Sequence, residues 1–153
     1  PALDQPLHHG TEVDLHVPAL IPDDYLPDVH ARLVLYKRIA SAPDEAALRE
    51  LQVEMIDRFG LLPEPVKHLF TVTEIKLAAE RLGIRRVDAG ERSGRLVFDE
   101  QPAIDPAHLV ALLQEAPQTY RFDGRERLRF EADMATFEAR VAFVRQLLER
   151  LAP

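Results

Sequence analysis

The feature that most constrains the fold is a pair of adjoining amphipathic runs, residues 20–42 and residues 48–65. In the second run, apolar side chains recur at steps of three and four residues: Leu48, Leu51, Met55 and Phe59. That spacing places them on one stripe of a helix. Gly60 then supplies the residue that commonly follows a helix, and Pro63 prevents easy continuation. The two runs therefore predict a helical hairpin, with its turn at residues 42–44.

The first helix of this hairpin is expected to begin at Pro27 or Asp28, because proline and an acidic residue both favour the first turn. Within this helix, apolar residues occur on more than one side, because their spacing along the sequence varies. The predicted core positions are Val29, Leu33, Tyr36 and Ala40, supported by Leu35 and Ile39.

The rest of the chain alternates between helical periodicity and the two-residue periodicity of strands. We predict a third helix over residues 65–82, another that starts at Asp105, and a last helix with a regular apolar seam up to Leu151. The predicted strands lie at residues 11–17, 85–89, 95–98, 119–122 and 127–130. This order predicts one α+β domain over residues 11–153, in which the helical hairpin and further helices pack on a small, largely antiparallel sheet. Residues 1–10 are predicted to be the end of a linker.

Composition narrows the classes of function. The 153 residues carry a formal net charge of −7, which argues against a domain that binds nucleic acid mainly through phosphates. The sequence has no cysteine, so a disulfide framework, a thiolate nucleophile and a zinc–cysteine site are excluded. No apolar run approaches the ~20 residues that span a bilayer, and we expect no membrane partner.

Motifs that carry catalysis are missing from the sequence. It contains no phosphate-binding loop, no dinucleotide-binding glycine motif and no serine elbow. The adjacent His8 and His9 are interpreted as linker residues, since two neighbouring ligands do not make a closed metal site. Asp23 and Asp24 could form an acid–base pair, but aspartates beside a proline more often serve in turns. We predict no catalytic, metal-binding or cofactor-binding residue in this domain, and therefore no enzyme activity of its own.

Two charged sets remain as candidates for binding. The first comprises arginines on the two predicted hairpins: Arg85, Arg86, Arg92, Arg95, Arg121, Arg125, Arg127 and Arg129. A basic sheet face made from them would support an alternative function, a nucleic-acid-binding accessory module. The nearby aromatic residues are better placed in a core than on a stacking surface, so solvated strand faces are the favoured interpretation.

The second set lies on the outer side of the second helix and consists of Glu50, Glu54, Asp57 and Arg58. Glu54 and Arg58 are four residues apart in the order that favours a local ion pair. An acidic stripe that ends in one arginine also suits a partner with exposed arginines. The residues alone leave these two interpretations equally open.

Five sequence blocks, in order, resemble one family. They are P-D-D-Y-L-P-D-V at 22–29, R-L-x-x-Y-K-R-I-A-S-A at 32–42, E-M-I-D-R-F-G-L-L-P at 54–63, R-L-G-I-R-R at 81–86 and Y-R-F-D-G at 120–124. They closely resemble the C-terminal domain of the bacterial transcription-repair coupling factor (Mfd) family. The resemblance runs from about Thr11 to near the end of the chain.

The resemblance implies a cytoplasmic parent protein, an ATP-driven translocase on double-stranded DNA that displaces stalled RNA polymerase and recruits UvrA. It places the motor, with its ATP and magnesium, upstream of this domain. It also implies that this domain is a non-catalytic regulator, which folds back on the N-terminal UvrA-binding module of the same protein and masks it. By motif, the intramolecular contacts are expected at Glu54, Asp57 and Arg58, with Glu50 beside them.

Overall fold

The structure is a computed structural model that describes residues 10–153. The described residues divide into two compact units: residues 17–77, here called the helical unit, and residues 10–16 together with 78–153, here called the sheet unit. Among these residues, none of the helices combines a bilayer-spanning length with sufficient hydropathy. The predicted linker, residues 1–10, lies outside the described part of the chain except for Gly10.

Two helices and most of a third form the helical unit. Their bounds are α1 Val29–Ala40, α2 Glu45–Phe59 and α3 Glu64–Arg81. An aspartate precedes each of the first two helices: the Asp28 carboxylate accepts the backbone N–H of His30 at 2.9 Å, and Asp44 accepts that of Ala47 at 2.9 Å. These carboxylates satisfy N–H groups that have no partner inside the helix. The helical hairpin that the sequence predicts is thus confirmed.

The predicted stripe of α2 forms the centre of the helical unit's core. Leu48, Leu51 and Met55 are buried, and Phe59 is partly buried. They belong to one cluster with residues from the other helices and from the segment before α1: Ile21, Leu26, Leu35, Ile39, Val66 and Phe70. Burial of this apolar surface is what holds the hairpin together.

The predicted inner face of α1 is wrong in part. Val29 and Leu33 were expected in the core but are 60% and 55% exposed, and Ala40 is exposed as well. The buried side chains of α1 are Leu35 and Ile39. Because α1 carries apolar residues on more than one face, its periodicity does not single out the inner one. Leu35 and Ile39 are buried because they pack against the apolar residues of α2 and α3.

Five strands form the sheet of the sheet unit, in the order β1-β2-β3-β5-β4. Their bounds are β1 Glu12–Asp14, β2 Ile84–Ala89, β3 Ser93–Phe98, β4 Tyr120–Asp123 and β5 Arg127–Glu131. β1 runs parallel to β2, and the other three pairings are antiparallel. The α+β class, the largely antiparallel sheet and both predicted hairpins, β2–β3 and β4–β5, are confirmed. The first strand is shorter than predicted.

The sheet has one apolar face and one charged face. One row of directly opposed residues crosses all five strands and is apolar: Val13, Val87, Leu96, Leu128 and Phe122. On the same side, Phe130 packs against Phe143 with a centroid distance of 5.0 Å. Phe143 belongs to α5 (Phe137–Leu151), which contacts α4 (Pro106–Glu115). Successive strand residues alternate between faces, so the neighbouring rows, rich in Asp and Arg, point to the other side.

Candidate interaction surface on the second helix

Glu54 is the centre of an ion-pair network that joins α1 to α2. The Arg38 guanidinium donates two hydrogen bonds to it, from one nitrogen to Oε2 at 2.7 Å and from the other to Oε1 at 2.8 Å. Arg58, one turn further along α2, donates to Oε2 at 3.0 Å. A guanidinium that meets both carboxylate oxygens fixes its partner's geometry, and this contact sets the position of Glu54.

The two arginines also shift the titration of Glu54. The hydrogen bond from Arg38, followed by that from Arg58, lowers the pKa of Glu54 from its ordinary 4.5 to about 2. The network is exposed to solvent, so it contributes little to the stability of the fold at moderate salt. Its consequence is a Glu54 carboxylate that is charged, oriented and occupied by partners within the helical unit.

The end of α2 that carries Arg58 is anchored by an aromatic residue from the segment before α1. The Tyr25 hydroxyl donates to the Gly60 carbonyl at 2.9 Å, and the Tyr25 ring meets Phe59 edge-on with a centroid distance of 6.1 Å. Arg58 in turn lies over the Phe59 ring, 4.8 Å from its centroid. Cation–π contact and ion pair together hold a guanidinium that is half exposed and still has free donors.

Asp57 and Glu50 differ from Glu54. Both side chains are exposed, and within residues 10–153 neither forms a hydrogen bond or ion pair. Two apolar residues of the same helix are exposed beside them, Val53 at 60% and Ile56 at 38%. Val53 lies one helical turn before Asp57, so both occupy one side of α2. This side of α2 therefore offers apolar area next to unpaired negative charge, with Arg58 at its end.

The role of this set in binding stays a prediction, and the structure adds the state of each member. The ion pair between Glu54 and Arg58 is confirmed. The partner that sequence reasoning missed is Arg38, sixteen residues before Glu54 and on another helix. Helical periodicity reports only neighbours three and four residues apart, so it carries no signal for this contact.

Other candidates from the sequence show no arrangement for catalysis. Asp23 and Asp24 are exposed in a tight turn, in which the Tyr25 N–H donates to the Pro22 carbonyl at 3.2 Å. Both carboxylates face solvent, whereas an acid–base pair needs at least one carboxyl that is partly withdrawn from water. His8 and His9 lie outside the described residues.

One cluster that the sequence did not indicate lies at the β1 edge of the sheet. Potential metal-ligating atoms of Asp14, His16 and Asp88 lie within 4.8 Å of one another. They are already engaged: His16 Nε2 is 2.7 Å from Asp88, which also accepts from Arg86 at 3.3 Å. Burial would raise the pKa of Asp88, but its contacts with His16 and then Arg86 outweigh burial and lower it. The positive charge of Arg86 beside Asp88 disfavours a bound cation. We therefore interpret the cluster as a set of polar contacts that stabilises the pairing of β1 with β2.

Several arginines of the two hairpins are paired with carboxylates. Arg86 pairs with Glu12 at 2.7 Å, and Arg85 pairs with Glu126 at 3.0 Å. Three others, Arg95, Arg121 and Arg129, stand in one row across the sheet. Flanking carboxylates thus neutralise part of the set, as expected for solvated strand faces.

Comparisons with known proteins agree on one family. The family model described as "TRCF domain" matches residues 15–109. The Transcription-repair-coupling factor of Escherichia coli (strain K12) is 45% identical over 151 residues, which is 99% of this chain and 13% of that protein. The protein of the same name from Haemophilus influenzae is 43% identical over 152 residues, again 99% of this chain and 13% of that protein. The chain thus spans about an eighth of the length of these curated relatives.

A solved structure shows the same fold. The crystal structure of a C-terminal domain of transcription-repair coupling factor matches with a TM-score of 0.71 at 25% sequence identity. The match covers 93% of this chain and 94% of that one. The α+β arrangement described above is therefore similar to that of a domain from the C-terminal end of such a protein.

Proposed function

Because this chain belongs to the TRCF domain family, we propose that it is a non-catalytic regulatory domain at the C-terminal end of a transcription-repair coupling factor. In this proposal the parent is a cytoplasmic, ATP-dependent translocase on double-stranded DNA that displaces stalled RNA polymerase and recruits UvrA. The ATP and magnesium of the motor bind outside this domain, which needs no cofactor of its own.

The regulatory role is autoinhibition through the exposed side of α2. The observation that carries it concerns Asp57, which has no partner among the described residues and lies beside exposed Val53 and Ile56, next to a fixed Arg58. Apolar area bordered by charges is the usual make-up of a protein interface. We place the N-terminal UvrA-binding module of the same protein on this surface, where it would be hidden from UvrA.

A surface of this kind suits a contact that must open. A tethered partner sees an effective concentration of order millimolar, so a weak interface can stay closed. A coupling of about 1–3 kcal/mol is enough to change the accessibility of the masked site by roughly 5–150-fold. Exposed charges release more readily than a large apolar interface, because they gain water on opening.

The structure decides which residue tests the proposal best. Reversal of Glu54 would break its pairs with Arg38 and Arg58 and so disturb the domain itself. Asp57→Arg removes no contact within residues 10–153, so any effect on the full-length protein must come from another module. Glu100→Arg is the matched control, because Glu100 is exposed, lies off α2 and has no partner among the described residues.

In the full-length protein, Asp57→Arg should raise the affinity for UvrA about fivefold or more and raise the basal ATPase rate, with Glu100→Arg unchanged. Titration calorimetry and a coupled ATPase assay measure the two quantities. Circular dichroism of the 153-residue domain checks that both variants fold. If Asp57→Arg changed neither UvrA affinity nor ATPase rate, the proposed contact would be refuted.

A further inference from the structure

Three arginines stand side by side on the charged face of the sheet. Arg95 of β3 is directly opposite Arg129 of β5, and Arg129 is directly opposite Arg121 of β4. Directly opposed residues point to the same face and have Cβ atoms about 4.5–5.5 Å apart. Arg121 and Arg129 are exposed, and Arg95 is half-buried. We call these three residues the arginine row.

The row is only partly offset by neighbouring anions. Asp88 of β2 is directly opposite Arg95, but its carboxylate contacts His16 at 2.7 Å and Arg86 at 3.3 Å. Within residues 10–153, Arg95 and Arg121 form no ion pair, and Arg129 forms one, with Asp123 at 3.9 Å. Like charges directly opposite one another destabilise a sheet. The arrangement therefore works against folding, and an anion bound across the three guanidinium groups would remove this repulsion.

The arginine row lines a cavity of about 470 Å³ on the sheet unit. Ser93, Gln118 and Thr119 line the same cavity and supply hydroxyl and amide groups. Its size matches sites that hold a small molecule or a short stretch of chain. Guanidinium groups with hydroxyl and amide neighbours are suited to bind carboxylates or phosphates by several hydrogen bonds.

Three observations favour carboxylates on a protein segment over a nucleic-acid backbone. Asp88 and Glu131 line the cavity too, so it favours a ligand that brings only two or three negative charges over a nucleic-acid backbone, which carries one at every nucleotide. Tyr120 and Phe130 border the cavity, but their rings pack on Phe143 with centroid distances of 6.0 Å and 5.0 Å, so they offer no free face for bases to stack on. The chain as a whole carries a net charge of −7, which opposes any long polyanion.

We propose that the arginine row binds an extended acidic segment of a partner protein, with acidic residues at alternate positions. Adjacent strands are ~4.8 Å apart, so the three guanidinium groups span about 10 Å. In an extended segment, side chains two residues apart lie on one side at a separation of about 7 Å. Two such carboxylates therefore fit between three guanidinium groups, each within reach of a pair. This surface belongs to the sheet unit, and the inference does not rest on the proposed function of α2.

The test is a binding measurement on the 153-residue domain at low ionic strength. The probe is a fluorescein-labelled peptide of alternating glutamate and serine, followed by anisotropy. A peptide with glutamine in place of glutamate and a short labelled duplex DNA are the comparison ligands. The row variant is Arg121→Gln with Arg129→Gln. The matched control, Arg92→Gln with Arg125→Gln, removes the same charge from exposed arginines outside the row.

The glutamate peptide should bind the native domain and the control variant, and the row variant should lose about tenfold or more in affinity. Replacement of Arg121 and Arg129 by lysine keeps the charge but not the forked geometry, so an intermediate loss is expected. The glutamine peptide should not bind. Equal weakening by the row variant and the control would show a general charge effect and overturn the site. Tighter, row-dependent binding of the DNA would overturn the choice of ligand.

Discussion

Replacement of Arg140 by methionine should destabilise the domain strongly, although Arg140 has no carboxylate partner among residues 10–153. Arg140 is 4% exposed on α5 and donates three hydrogen bonds to backbone carbonyls. The acceptors are Leu15 at 2.6 Å, Met134 at 3.1 Å and Ala135 at 3.2 Å. The first of these hydrogen bonds links the residue after β1 to the first turns of α5. The side chain therefore connects two parts of the sheet unit that are far apart in the sequence.

The size of the effect follows from these three contacts. A hydrogen bond to a charged group contributes about 1.5–3 kcal/mol, and a buried carbonyl left without a partner costs a similar amount. Two terms reduce the total: the methionine chain keeps much of the packing of the arginine stem, and the variant no longer buries a charge. We expect a net loss of about 2–4 kcal/mol for Arg140→Met.

Urea unfolding followed by circular dichroism measures this loss, and amide hydrogen exchange locates it. Amide exchange should accelerate first in β1, because Leu15, which loses its hydrogen bond to Arg140, directly follows this strand. Arg125→Met is the control, since Arg125 is exposed and unpaired within the described residues, and it should change the free energy of unfolding by less than ~0.5 kcal/mol. A loss below ~1 kcal/mol for Arg140→Met, with β1 exchange unchanged, would refute the argument from buried carbonyls.

Two further outcomes follow from the structure. Glu54 has a pKa of about 2 against an ordinary 4.5, so its ionised form stabilises the folded state above about pH 4.5 and this contribution is lost as the pH falls towards 2. Because the network is exposed, the effect is small and is best measured at low ionic strength, where urea unfolding between pH 5 and 2 should show a slightly shallower decline in Glu54→Gln than in the native domain. Equal slopes for Glu54→Gln and the native domain would contradict a stabilising role of the network. Gly94→Ala should destabilise the fold by about 1–3 kcal/mol or more, because the added methyl group would collide with the backbone carbonyl oxygen of Asp88 and would lie 2.6 Å from the buried ring of Phe130. Thermal unfolding measures that loss against Gly90→Ala, where the nearest atom is 3.6 Å away, and equal melting temperatures would exclude the clash.

Local chemistry explains why much of the fold could be predicted. Asp28 and Asp44 start helices because a carboxylate at that position reaches backbone N–H groups that need a partner. The stripe of α2 is buried because Leu48, Leu51 and Met55 recur at steps of three and four residues and so share one side of the helix. The turn at Gly124 forms with a φ of 72°, a conformation that glycine adopts without strain. Each of these rules acts over a few residues, and each was correct.

The candidate surface on α2 was predictable only as a set of residues. Sequence motifs selected Glu54, Asp57 and Arg58 together, and the pairing of Glu54 with Arg58 follows from their spacing. Arg38 occupies the Glu54 carboxylate, whereas Asp57 has no partner among residues 10–153. Such a contact depends on how two helices pack, and no short-range pattern encodes it.

The sequence by itself determined the family, the class of fold, the starts of α1 and α2 and the two hairpins, and it selected the residues proposed for the α2 surface. Only the tertiary structure decided which face of α1 is buried, which carboxylate Arg38 holds, why Arg140 is buried, and that Arg95, Arg129 and Arg121 stand in one row. The physical reason is the distance along the sequence over which each interaction acts. Periodicity, capping and turn chemistry involve neighbours within about four residues. Burial and cross-strand pairing join residues that are far apart in the chain, and they are fixed only when the whole core is packed.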